Sequence, residues 1–220
     1  MMELLLLALA GAILSMDATS IGQLMISRPI VVGPLLGCYL GDSRSGLAIG
    51  MIIELVWMNV IPLGTSVIPD VTVVTVLATY WGIWSGRLAH SGSVFGPAEL
   101  VLGLALALPV GVYFKKSDIV LRRYNIKLMH QAEESLRQGD ESALGKIIRR
   151  ALWLNLVKNF VLYSIGLWLG RYLVFFAHQL FIPKFRQGLE FAFQMLPLVG
   201  FGIFLSNFLG RKDIFRPGVR

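Results

Sequence analysis

The chain of 220 residues holds one cysteine, Cys38, so no intrachain disulfide and no cysteine-based metal cluster can form. Cys38 lies in an apolar stretch and reads as a packing residue. Charge is also scarce. Asp, Glu, Lys and Arg make up 15% of the residues against 55% hydrophobic ones, and the mean hydropathy is +0.69. A soluble domain carries about a quarter charged residues, so this balance points to lipid. Nucleophile motifs, phosphate-cradling glycine loops and Walker-type lysines are missing, which argues against an ATP-driven pump or a hydrolase contained in this chain. The histidines His90, His130 and His178 are far apart and form no metal-spaced pair, so no metal or other cofactor is expected.

What the chain does have is long apolar runs. Residues 94–114, 151–176 and 191–209 each approach the roughly 20 helical residues that cross a hydrocarbon core about 30 Å thick. The opening residues 1–16 are apolar too, but their only early charge is Glu3, whereas a secretory signal wants a positive start, so this segment is expected to be retained.

The formal charge of +7 does not form a folded basic patch but flanks the hydrophobic runs, so it reports orientation and not a nucleic-acid partner. Residues 115–150 carry nine Lys or Arg against five Asp or Glu and are expected in the cytoplasm. Ile119, Leu121, Ile126, Met129 and Leu136 recur there at loosely helical spacing, as in an interfacial amphipathic helix or a plainly solvated one, before a turn at Gly139-Asp140. Residues 211–220 hold four basic residues against Asp213, which puts the tail on the same side. Two crossings then fit between them, although Lys184 and Arg186 in the connection run against the bias. The expected fold is an all-α polytopic membrane protein. It divides into a membrane region at 1–114, a cytoplasmic amphipathic loop at 115–150, a membrane hairpin at 151–210 and a basic tail at 211–220.

The first region is apolar yet interrupted by Pro29, Pro34, Pro62, Pro69 and many glycines, which predicts broken or re-entrant helices. Transporters place substrate at such interruptions. Arg28, Asp42, Glu54 and Asp70 sit among its apolar residues, and each wants a partner or water. Asp42, in Gly41-Asp42-Ser43-Arg44-Ser45-Gly46, reads as a polar turn. Glu54 is flanked by Ile52, Ile53, Leu55 and Val56. It either accepts hydrogen bonds from sugar hydroxyls, with Trp57 offering an aromatic face to the ring, or pairs with Arg28 as a structural carboxylate. Gly64-Thr65-Ser66-Val67-Ile68-Pro69-Asp70 should break a helix and present donors and acceptors to a polyhydroxyl ligand, or form a kinked loop capped by Asp70. A further alternative is a membrane enzyme that gathers Asp42, Glu54 and Asp70 around a metal.

Ser27-Arg28-Pro29, then Gly33 through Gly41-Asp42, Gly46, Gly50, Glu54, Trp57 and Gly64 through Pro69-Asp70, resembles the amino-terminal half of mannose-family enzyme IIC of the phosphotransferase system. Tyr124-Asn125, His130, Ala132 and Gly139-Asp140 are similar to that family's cytoplasmic segment. The resemblance implies a multi-pass subunit of the bacterial inner membrane that translocates sugar and carries no phosphohistidine. It implies a IID membrane partner, in a trimer of heterodimers, with cytoplasmic IIA and IIB proteins passing phosphate to the sugar. Carried over by motif, the sugar site holds Glu54 and Pro69-Asp70, with Asn59 and Gln23 as further candidates. Family members run on well beyond the position matching Asn207, so the expectation is either a minimal transporter or a regulatory or assembly homologue.

Overall fold

The structure, a computed structural model, describes residues 1–18, 20–58, 70–89, 95–179 and 183–209, without the side chains of residues 141, 183 and 207–209. Among the described residues there are seven α-helices and no strand. They are α1 (Met2–Asp17), α2 (Pro29–Tyr39), α3 (Ser43–Trp57), α4 (Val71–Ala89), α5 (Pro97–Arg137), α6 (Glu141–Gln179) and α7 (Pro183–Leu209).

Among the described residues, three stretches are long and apolar enough to cross a membrane: Pro97–Arg137, Ser142–Gln179 and Lys184–Ser206. They overlap the three apolar runs of the sequence. Exposed aromatic residues mark both ends of the α6 span. Trp153 stands near one end and Trp168 with Tyr172 near the other. At about 1.5 Å per residue, Trp153 and Tyr172 are about 28 Å apart, close to the hydrocarbon thickness between two aromatic belts.

The polar stretch 115–150 is helical on both sides of its turn and continuous with the spans, because no helix breaker lies between Phe114 and Arg137 and its Lys, Arg, Glu, Gln and Leu residues all favour helix. It is the projecting tip of the α5–α6 hairpin. The reversal is a Schellman motif: the Asp140 amide donates to the Ser135 carbonyl at 3.0 Å and the Gly139 amide to the Leu136 carbonyl at 3.0 Å. Gly139 takes φ +80°, a left-handed conformation that only glycine adopts freely. Asp140 then caps α6, accepting from the Ala143 amide at 3.2 Å.

Helix α4 is the centre of the molecule and packs against α1, α2, α3, α5 and α6. Its hydroxyl residues Thr72, Thr75, Thr79 and Ser85 are as buried as its valines, so lipid does not meet them. The side chain of Thr75 donates back to the Val71 carbonyl at 2.8 Å, which satisfies a polar group inside the helix. Small residues allow the close neighbours: Gly103 of α5 lies on the Ala78–Gly82 backbone of α4, and the wholly buried Trp81 ring fills the space beside Gly170 of α6. On the far side α1 meets α6, where the Tyr163 ring lies against Gly11 and its hydroxyl bonds Ser15 Oγ at 2.7 Å. Phe114 packs edge-on to the same ring.

Candidate functional site

Helices α2 and α3 contain 11 and 15 residues, so they extend only about 16 and 22 Å and cannot each span a bilayer. They form a re-entrant hairpin. Pro29 occupies the first turn of α2, where its missing amide costs nothing, and α2 continues through Pro34. The chain reverses through a second Schellman motif, with the Asp42 amide donating to the Gly37 carbonyl at 2.7 Å and the Gly41 amide to the Cys38 carbonyl at 3.1 Å. Asp42 then caps α3 by accepting from the Ser45 amide at 3.1 Å. Arg87, near the end of α4, donates to the Leu40 carbonyl at this closed end.

The hairpin arms touch backbone to backbone. A Cβ on Gly33 would collide with the Gly46 carbonyl, one on Gly46 with the Gly33 carbonyl, and one on Gly50 with the Pro29 carbonyl. Gly33 and Gly37 on one arm, and Gly46 and Gly50 on the other, follow the four-residue small-residue spacing of close helix pairs in membranes.

The open end holds the charge. Glu54 Oε1 accepts from Arg28 Nη1 at 3.1 Å and Oε2 faces the Ile30 amide at 3.4 Å, so one carboxylate ties the end of α3 to the start of α2. The start of α4 joins this layer, since the Thr72 hydroxyl donates to the Ser27 carbonyl at 3.1 Å. Asp70 caps α4 with Oδ1, which accepts from the amides of Thr72 at 3.0 Å and Val73 at 3.3 Å. Capping thus engages one oxygen of Asp70. Trp57 is half-buried against the core beside this end.

The loop between α1 and α2 completes the layer. Asp17 accepts from the Leu24 amide at 2.8 Å and the Ser27 amide at 3.1 Å, and these bonds hold its carboxyl below the ordinary range. Between them Gly22, Gln23 and Met25 take φ +78°, +50° and +62°. Left-handed backbone at two non-glycine residues costs energy, and strain of this kind concentrates at ligand clamps. The Asp17–Ser27, Ser27–Thr72 and Arg28–Glu54 contacts therefore tie the ends of α1, α3 and α4 to the chain leading into α2 on one side of the hairpin.

A family model for the sorbose-specific IIC component of the phosphotransferase system matches residues 1–216. The chain belongs to this family. It is 24% identical over 160 residues to the mannose-specific EIIC component of Escherichia coli strain K12, an alignment covering 71% of this chain and 54% of that protein. It is 27% identical over 188 residues to N-acetylgalactosamine permease IIC component 1 of the same strain, covering 83% and 64%. The chain spans about half the length of the mannose-specific relatives. The solved mannose transporter ManYZ in complex with a microcin superposes with a TM-score of 0.64 at 21% identity, covering all of this chain and 89% of that one. The fold is that of a membrane protein.

Of the candidate residues in this family member, Glu54, Trp57, Asp70 and Gln23 lie in the open-end layer, while Asn59 and Pro69 fall outside the described residues. The Arg28 pairing expected of a structural Glu54 is present, and the Glu54 side chain stays partly exposed. The metal-centre alternative is overturned. Asp42 and Glu54 stand at opposite ends of α3, about 18 Å apart along its axis, too far to share a metal. No group of metal-binding residues occurs among the described residues.

Sequence reasoning missed Asp17, whose partners are backbone amides that leave no side-chain signature. It also missed Lys158 of α6, which pairs with Asp118 of α5 across forty positions of chain. The second was hidden by distance along the chain. At the opposite membrane boundary Arg186 is balanced by the wholly buried Glu99 at 3.1 Å and by Glu190 at 3.3 Å.

Proposed function

We propose that this chain is the sugar-translocating IIC subunit of a phosphoenolpyruvate-dependent phosphotransferase system of the mannose, sorbose or N-acetylgalactosamine type. The observation that carries the reading is the charged open end of the re-entrant hairpin, where the Arg28–Glu54 pair stands at the start of α2 and the α4 start, capped by Asp70, is tied to the neighbouring Ser27, in a protein of this family. A carboxylate with a spare acceptor position recognises vicinal hydroxyls, and Trp57 offers an aromatic face to the ring. Gln23, on its strained loop, supplies an amide, and Pro69 and Asn59 complete the set. Sugar hydroxyls compete with Arg28 for Glu54, so substrate loosens the tie between the hairpin arms.

The protein resides in the bacterial inner membrane as a multi-pass subunit. Its 115–150 tip and 211–220 tail face the cytoplasm, in keeping with their basic residues, nine and four of them, which outnumber Lys184 and Arg186 in the α6–α7 connection. The membrane region 1–114 carries the site and 151–210 braces it. A IID membrane subunit completes the pathway in a trimer of heterodimers. Phosphoryl transfer belongs to cytoplasmic IIA and IIB proteins, so this subunit is a transporter and not itself the phosphotransferase.

The test is uptake and phosphorylation of labelled hexoses and amino sugars in cells expressing the chain with its IID, IIB and IIA partners. Uptake of at least one sugar is expected, and it should fall about tenfold or more in Glu54→Ala, the equivalent of one charge-assisted hydrogen bond. No uptake despite assembly with IID would overturn the transport reading. Unchanged uptake in Glu54→Ala would overturn the site.

A further inference from the structure

A groove of about 630 Å³ runs between α5 and α6 where both helices leave the membrane span, far from the hairpin's closed end. Tyr113, Val120 and Tyr124 of α5 and Val157 of α6 form its walls, and Lys116 and Lys158 supply its charge. Arg150 stands over the upper end, donating to the Tyr124 hydroxyl at 2.8 Å with its guanidinium 6.0 Å from the ring centre. Of the carboxylates at this level, Asp118 is engaged by Lys158, and Asp70 lies within electrostatic reach of the same pair, against the three cations Lys116, Lys158 and Arg150. The wall is therefore cationic in balance.

Below the charge the surface turns apolar and stays exposed. Val157, Val161 and Ile165 lie at successive four-residue steps on one face of α6, each about half exposed. Cations over an apolar stripe, at the depth where an apolar span gives way to a basic tip, match a phospholipid by charge and by polarity. A second groove, among α1, the 21–24 loop and α6, has an apolar lining and no basic residue, so it offers nothing for a phosphate.

We propose that the α5–α6 groove is a binding site for an acidic phospholipid, with the headgroup phosphate between Lys116 and Arg150 and the acyl chains along Val157, Val161 and Ile165. Basic pockets between membrane helices at the cytoplasmic boundary take anionic headgroups for this reason. The lipid bridges the two long helices just beyond the Asp118–Lys158 pair and steadies the hairpin there. The site does not depend on the transport reading.

The experiment reconstitutes the full chain in nanodiscs of phosphatidylglycerol and phosphatidylcholine and measures, by mass spectrometry, the lipid retained after washing. Preferential retention of phosphatidylglycerol is expected. Lys116→Gln and Arg150→Gln should each weaken it about fivefold. Arg122→Gln, at the same depth but on the opposite face of α5, should leave it unchanged, and Lys116→Arg should retain it. Equal retention of both lipids, or no loss in the Lys116→Gln/Arg150→Gln variant with unaltered thermal melting, would overturn the proposal. So would a photocrosslinker at Val120 that captures a protein instead of lipid.

Discussion

Two hairpins in this molecule reverse on the same dipeptide. Gly41-Asp42 joins α2 to α3 and Gly139-Asp140 joins α5 to α6, each through a Schellman motif whose aspartate then caps the next helix. Their surroundings differ. The α2–α3 turn buries Leu40 and Asp42 while Gly41 stays exposed, its arms are short, and glycines press backbone on backbone. The α5–α6 turn is exposed at the tip of helices of 41 and 39 residues, whose arms carry long charged side chains. Local turn chemistry sets where a chain doubles back. Arm length and the size of the facing residues decide whether the hairpin stays inside the membrane or projects from it.

The largest expected effect breaks the buried hairpin. Gly46→Leu drives a side chain into the Gly33 carbonyl and should cost about 3 kcal/mol or more, or leave no folded protein, as read by thermal unfolding in detergent. Its counterpart in the projecting hairpin is Gly145→Ala, where a Cβ meets nothing within 4 Å. That change should raise stability by up to about 1 kcal/mol through helix propensity.

Ion pairs should rank the same way by burial. Lys158→Met leaves Asp118 partly buried without its cation and should cost about 1–3 kcal/mol, less than a fully buried pair because both groups keep some solvent. Arg28→Ala, whose side chain is 56% exposed, should cost less than about 1 kcal/mol. Comparable losses in the two variants would show that burial is not what separates these pairs.

How much of this was legible in the sequence depended on range. The three spans followed from apolar runs, and both turns from Gly-Asp between apolar or amphipathic segments. The Arg28–Glu54 contact was one of two open readings, because charges in an apolar region must find each other or water. Gly33, Gly37, Gly46 and Gly50 stood at a readable spacing, but spacing does not name the partner helix. Asp17 and the Asp118–Lys158 pair were hidden, because nothing local records a backbone acceptor or a cation forty residues away.

The smallest expected effect is one of pH at the projecting tip. The Ser142 hydroxyl and the Ala143 amide hold the Asp140 carboxyl below its ordinary value. A depressed folded value means that the cap's stabilisation is complete above the ordinary carboxylate range, near pH 4, and is lost as pH falls through the folded value. Amide protection at residues 142–145, corrected for intrinsic exchange, should therefore fall in acid, and Asp140→Asn should flatten that response. A tip that frays equally in both proteins would assign the effect elsewhere.

The central claim is that the charged open end of the buried hairpin receives sugar, and Asp70→Asn tests it most directly. The asparagine oxygen can still accept from Thr72 and Val73, so the α4 cap survives while the carboxylate charge is removed. Sugar uptake in cells with the full set of partners, at matched membrane levels, should drop by about tenfold or more. Uptake equal to that of the unmodified chain would mean that Asp70 is a helix cap alone.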